Sequence, residues 1–167
     1  MTSSARREGF APIADYAVLG DGRTVALVAS DGQVDWWPIP TLDSPPACAA
    51  ILDPDAGGRF TLAPEASFGA DRRYVLGTNV LESTYTTSTG TARVTDSLNA
   101  GSSGRLPWTE LARRVEGLTG HVDLRWELVP GNRFGCVRPW IKGHGSVPVV
   151  TLGDQTLALV VQGCAQG

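Results

Sequence analysis

The chain has 167 residues, 42% of them hydrophobic and 19% charged, with a formal net charge of -3. This length and apolar share suit one domain with a sizeable core and exclude a disordered chain. The weak acidity excludes the clustered basic field of a nucleic-acid surface, and no apolar run approaches the roughly 18 residues needed to span a membrane.

The opening residues, MTSSARREGF, carry charge with no apolar stretch behind them. They read as a flexible N-terminus over residues 1–12, without a secretory signal, and the cytoplasm is the expected compartment. Cys48, Cys136 and Cys164 are odd in number and far apart. They form no CxxC pair, so neither a zinc site nor a redox motif is read, and a reducing compartment fits.

Period-two alternation dominates the chain. Arg23–Ala29 and Val34–Ile39 flank Ser30-Asp31-Gly32-Gln33, and Asp-Gly between two apolar runs predicts a hairpin. Pro45–Leu52 has Pro in its first turn and predicts at most one short helix near 46–52. Strands are expected at Arg59–Leu62, Arg72–Leu76, Asn79–Thr87 and Thr91–Leu98. Ala100–Pro107 reads as a flexible loop. Leu111–Glu116 and Val122–Val129 follow, with a turn at Gly117–Gly120. Val147–Val150 and Thr156–Val161 close the series around Gly153-Asp154. Roughly ten short strands with turn clusters between them indicate an all-β fold, an antiparallel β-sandwich of supersandwich-like type, over residues 13–167. Only GCAQG follows the last apolar strand, so the domain reads as truncated at its C-terminal end with a sheet edge left open.

Glycoside hydrolysis needs two carboxyl groups facing each other across a sugar bond. The carboxylates available to such chemistry are Asp15, Asp21, Asp35, Asp43, Asp96, Glu110 and Glu116, and no two of them stand in a motif that specifies a catalytic pair. Asp96 shares a strand face with Ala92, Val94 and Leu98 and needs a partner, for which Arg93, Arg113 and Arg114 are the candidates. Trp36 and Trp37 are adjacent on a strand and must face opposite sides of the sheet. His121 and His144 are isolated, and Gly20-Asp21-Gly22 lacks the spacing of a phosphate loop.

The segment IADYAVLGDGRTVALVASDGQVDWW, followed by Pro40-x-x-Asp43-Ser44-Pro45, resembles the N-terminal region of bacterial glycoside hydrolase family 15, the glucoamylase-like and trehalase-like enzymes. RRYV at 72–75, VTDSL at 94–98, LARRVEGLTG at 111–120 and GNRFGCVRPW at 131–140 continue the likeness. The resemblance implies a β-sandwich ahead of a helical α/α toroid that holds the catalytic glutamates and hydrolyses with inversion. It implies for this chain a non-catalytic accessory domain that scaffolds the toroid, with no catalytic residue, metal or cofactor of its own. Its partners would be the downstream toroid and an α-glucoside or trehalose at the domain interface. Asp43, Trp36 and Trp37 are the candidates for a substrate rim. Thr41 and Leu42 stand where the family has Arg and Phe, which removes a bidentate donor and a stacking ring. Two other classes stay open: a stand-alone carbohydrate-binding module, suggested by five Trp, and a structural module that forms a homo-oligomer through its open edge.

Overall fold

The computed structural model describes residues 6–99, 108–144 and 147–163. Among these lie thirteen strands and one short 3-10 turn, Ile13–Asp15. All pairings are antiparallel, as the alternation predicts. Three strands beyond the expected ten are β1 (Ala17–Gly20), β4 (Pro46–Cys48) and β11 (Trp140–His144). Each is short and is defined by its pairing partner more than by its own pattern. The loop expected at residues 100–107 lies outside the described residues.

Strand β1 pairs with β2 (Val25–Val28), which runs through the Asp31-Gly32 hairpin into β3 (Gln33–Pro38). β3 pairs onward with β5 (Arg59–Pro64), and β5 with β10 (Leu124–Val129). With β4 on β3 this makes a six-stranded sheet. A four-stranded sheet runs β6 (Gly69–Tyr74), β7 (Leu81–Thr86), β8 (Gly90–Asn99), β9 (Glu110–Gly120). A three-stranded one runs β11, β12 (Val147–Leu152), β13 (Gln155–Ala158). The main core joins all three: Leu19, Val28, Val34 and Trp37 meet Leu81 and Leu98, with Val150 and Leu152 against them.

The helix expected near 46–52 is absent, and residues 46–48 are strand β4. Ala47, Cys48, Ala49 and Ala50 are all buried, so this segment has no polar face to turn toward water, as a surface helix requires. Cys48 lies opposite Trp37, and its buried thiol is pushed up to about 12, chiefly by desolvation, with the Asp35 charge adding to it.

The turn expected at Gly117–Gly120 is also strand. β9 follows β8 along its whole length, from Asn99 opposite Glu110 to Gly90 opposite Gly120, with one bulge between Thr91 and Ala92. β10 then crosses to the other sheet and pairs with β5. At the far end, β13 stops at Ala158, short of the expected Val161.

Among the described residues, β9 is one edge of the four-stranded sheet and β10 one edge of the six-stranded sheet. Val115 on β9 sits opposite the buried Val94, and Trp126 on β10 opposite the buried Leu62, so both point inward. Yet they are 46% and 48% exposed. The sandwich is therefore open along this side.

Two ion-pair networks lock the fold. Asp96 and Arg113 are paired across β8 and β9 (2.9 Å), with side chains 0% and 3% exposed. Arg113 also donates to the Gly32 carbonyl (2.9 Å) and the Phe60 carbonyl (3.2 Å) of the opposite sheet. Its guanidinium lies over the Phe60 ring. The second network ties down the segment read as a flexible N-terminus, from Arg6 onward. Arg6 pairs with Asp31 (2.6 Å) and Asp35 (2.9 Å), and Tyr16 donates to Asp35 (2.6 Å). Burial pulls the Arg6 guanidinium down, and the bonds and charges of the two aspartates outweigh it, so its pKa is raised. Asp35 reaches this network because it is the extra residue of a bulge: Val28 faces Val34 and Leu27 faces Trp36.

Candidate functional site

Three loops are laced together at one end of the sandwich: residues 20–24, 39–45 and 108–110. The Leu42 amide donates to the Arg23 carbonyl (2.9 Å), and Arg23 Nη2 donates to the Trp108 carbonyl (3.1 Å). Thr109 reaches the Pro40 carbonyl (3.5 Å). Inside, the Thr24 hydroxyl donates to the Pro38 carbonyl, and the Ile39–Pro40 peptide is cis.

Asp43 lies in this cluster, exposed at the tip of the second loop. Thr41 Oγ1 donates to its Oδ1 (2.7 Å), and the Ser44 amide closes the turn on the Thr41 carbonyl (3.0 Å). The Thr41 bond holds the Asp43 carboxyl below the usual carboxylate range, so it stays anionic and accepts hydrogen bonds. Thr41, one of the two residues that depart from the resembled pattern, thus orients Asp43.

The two rim tryptophans separate as the strand geometry requires, and neither joins Asp43. Trp37 is buried in the main core, and its Nε1 has no acceptor among the described residues. Trp36 faces the other side of β3, half-buried opposite Leu27. The aromatic that does join the loop end is Trp108, 57% exposed. Its Nε1 donates to Glu110 Oε2 (3.2 Å), while Asn99 donates to Glu110 Oε1 (2.7 Å) and Ser97 to Asn99 Oδ1 (2.9 Å). This relay anchors the nitrogen end of the exposed indole. The only sequence signal for it was a large aromatic at the mouth of the Ala100–Pro107 loop.

The other acidic candidates are held in structural roles. Asp15 accepts from Ser30 (3.2 Å), Glu116 lies 3.6 Å from Arg93, and Asp96 is taken by Arg113. Asp21 closes the first loop: its Oδ1 accepts from the amides of Arg23 and Thr24, both at 2.9 Å. Burial raises its pKa, and these amides with the Arg23 charge more than offset that, so the pKa is lowered. A lowered folded pKa contributes stability that is present above the unfolded value and lost as pH falls through the folded one. Asp21→Asn is therefore expected to destabilise by about 1–2 kcal/mol at neutral pH. Thermal melts against pH should show the gap to the parent closing below about pH 4.

The Asp21, Asp43 and Asp154 carboxyls are each displaced downward. A general acid needs the opposite. No group of three metal-ligating side chains occurs among the described residues. The loop end presents the Asp43 carboxylate and the exposed Trp108 ring to solvent.

A family model described as trehalase-like, N-terminal, matches residues 6–165. The chain belongs to that family. This trehalase-like N-terminal domain is 41% identical over 114 residues to a trehalase of Mycobacterium tuberculosis, covering 68% of the chain and 16% of that protein. A Mycolicibacterium smegmatis trehalase is 43% identical over 109 residues, 65% of the chain and 15% of that protein. A Thermoplasma volcanium trehalase is 29% identical over 145 residues, 84% of the chain and 23% of that protein. The trehalase-like domain thus spans under a quarter of each of these relatives. No solved structure matches it significantly.

Proposed function

We propose that this trehalase-like domain is the non-catalytic N-terminal part of an inverting α-glycosidase of the glycoside hydrolase family 15 type, acting on trehalose. The observation that carries the reading is coverage: the trehalases it resembles are several times longer than the matched region. The rim candidate Asp43 is displaced downward, whereas the acid of an inverting pair is raised. In this reading the catalytic glutamates stand in a downstream α/α toroid. The uncovered inward positions on β9 and β10 offer that toroid or its linker an apolar seat. The laced loop end contributes Asp43 and Trp108 to the rim of the substrate site. The free thiols of Cys48 and Cys136 support a reducing, cytoplasmic setting.

The test is trehalose hydrolysis by the 167-residue chain beside a form extended through its downstream reading frame. Turnover is expected only in the extended form; turnover by the short chain would overturn the proposal. One observation favours a second reading, a carbohydrate-binding module in its own right: the exposed Trp108 indole, anchored at its nitrogen end. Tryptophan emission of the short chain during trehalose titration decides it, since a module must respond and a bare scaffold must not.

A further inference from the structure

The connection from β10 to β11 holds an arginine in an unusual state. Arg133 and Phe134 both adopt positive φ, 50° and 59°, ahead of Gly135 at 84°. Two successive side-chain-bearing residues in the left-handed region are strained. The turn is held by Asn132, whose side chain accepts from the Gly135 amide (3.0 Å) and whose carbonyl accepts from the Val137 amide (3.0 Å).

What the strain achieves is to drive a guanidinium inward. Arg133 is 8% exposed. Its Nη1 donates to Asp154 Oδ1 (3.1 Å), a carboxylate that is itself 86% exposed. Its Nε and Nη2 are buried with no acceptor among the described residues. Buried donors without acceptors are costly, and more so on a charged group. The free pair is not arbitrary: Nε and Nη2 form one edge of the guanidinium fork, the edge that takes two oxygens of one carboxylate or phosphate side by side. Over the other edge lies the β12–β13 turn. A Cβ at Gly153 would stand 3.2 Å from Arg133 Nη1 and 3.6 Å from Val137 Cγ2, so that turn closes on Arg133 without a side chain. Asp154 lies in water and can swing aside.

We propose that the unpaired edge of Arg133, covered in this structure, opens to seat a small oxyanion of the carboxylate or phosphate class. The ion would accept from Nε and Nη2 together, supplying the charge and the acceptors that the protein's described residues leave out. The site lies in the β10–β11 connection and does not depend on the trehalase reading.

The experiment is thermal unfolding of the chain in sodium phosphate and in sodium formate, each against sodium chloride at matched ionic strength. The parent is expected to gain about 4 °C, saturably, in at least one of the two. Arg133→Met removes the charge and should show no such gain. In chloride alone it should melt no lower than the parent, because it deletes an incompletely paired buried charge. Arg133→Lys keeps the charge without the fork and should lose most of the gain; it also serves as the comparison if the Met variant fails to fold. No anion-specific gain in the parent overturns the proposal. An equal gain in the parent and in Arg133→Met overturns it too, since phosphate salts out proteins generally. The extended form separates two sources of the same chemistry. A gain retained there means a free ion. A gain that vanishes, with Arg133→Met now clearly destabilising, means a carboxylate of the protein's own chain occupies the fork.

Discussion

Arg113→Ala is expected to destabilise the domain by about 3–5 kcal/mol, the range for breaking a buried ion pair from one side. For a chain of this length that lowers Tm by about 10 °C or more. The cost has three physical parts. The Asp96 carboxylate, fully buried, is left without its counter-charge. The Gly32 and Phe60 carbonyls each lose a charged donor. The Phe60 ring loses the cation stacked on it. Because these contacts run from the β8–β9 sheet to β5 and the β2–β3 hairpin, the loss falls on the junction between the two sheets. Asp96 lies on β8 between Leu98 of the main core cluster and Val94 of the smaller one. Urea unfolding of three proteins measures it: the parent, Arg113→Ala, and Arg114→Ala at the exposed neighbour. The neighbour should stay within about 0.5 kcal/mol of the parent. Equal effects at 113 and 114 would sink the argument. The double change Asp96→Leu with Arg113→Met should recover much of the loss, because it removes both charges together.

Gly32→Ala is the second large effect, at about 2–4 kcal/mol. Gly32 has φ 82°, a conformation that L side chains rarely adopt. A Cβ there would collide with the Leu62 carbonyl and stand 2.8 Å from the Tyr85 hydroxyl. Neither can yield cheaply. The Leu62 amide is bonded to the Gly32 carbonyl (3.2 Å), and Tyr85 is fully buried, its ring packed edge-on against Phe68 at 5.0 Å. By contrast Gly22, also at positive φ (83°), has open space around its missing Cβ, so Gly22→Ala carries only the backbone cost, about 1 kcal/mol. Comparing the two substitutions by thermal melt separates backbone strain from collision: similar shifts would remove the collision from the account.

Gly32 shows how far the sequence could be read and where reading stopped. Asp31-Gly32 between two apolar runs predicted the hairpin, since that turn needs positive φ and glycine supplies it. Nothing local could show that the same carbonyl anchors Arg113, eighty-one positions away. The candidate site divided in the same way. Asp43 was legible because Asp-Ser-Pro is a loop signal, and Trp36 and Trp37 were rightly placed on opposite faces of one strand. That Trp37 lies in the core, and that Trp108 is the aromatic sharing the loop end with Asp43, depended on which loops fold together. The missed helix at 46–52 has a similar cause. An unbroken apolar run has no period, so helix and buried strand look alike until a partner is present.

By itself the sequence determined the all-β class, the positions of ten strands and the family. These follow from period-two alternation, from turn residues whose backbone preferences are local, and from motifs spread along the whole chain. Only the tertiary structure decided which of three arginines neutralises Asp96 and that β9 and β10 belong to different sheets. It also decided that a bulge turns Asp35 toward Arg6, and that a strained turn buries Arg133. Each of these is set by the close approach of residues far apart in the chain, where burial makes an ion pair or an unmet hydrogen bond count. Neither spacing nor composition encodes that approach.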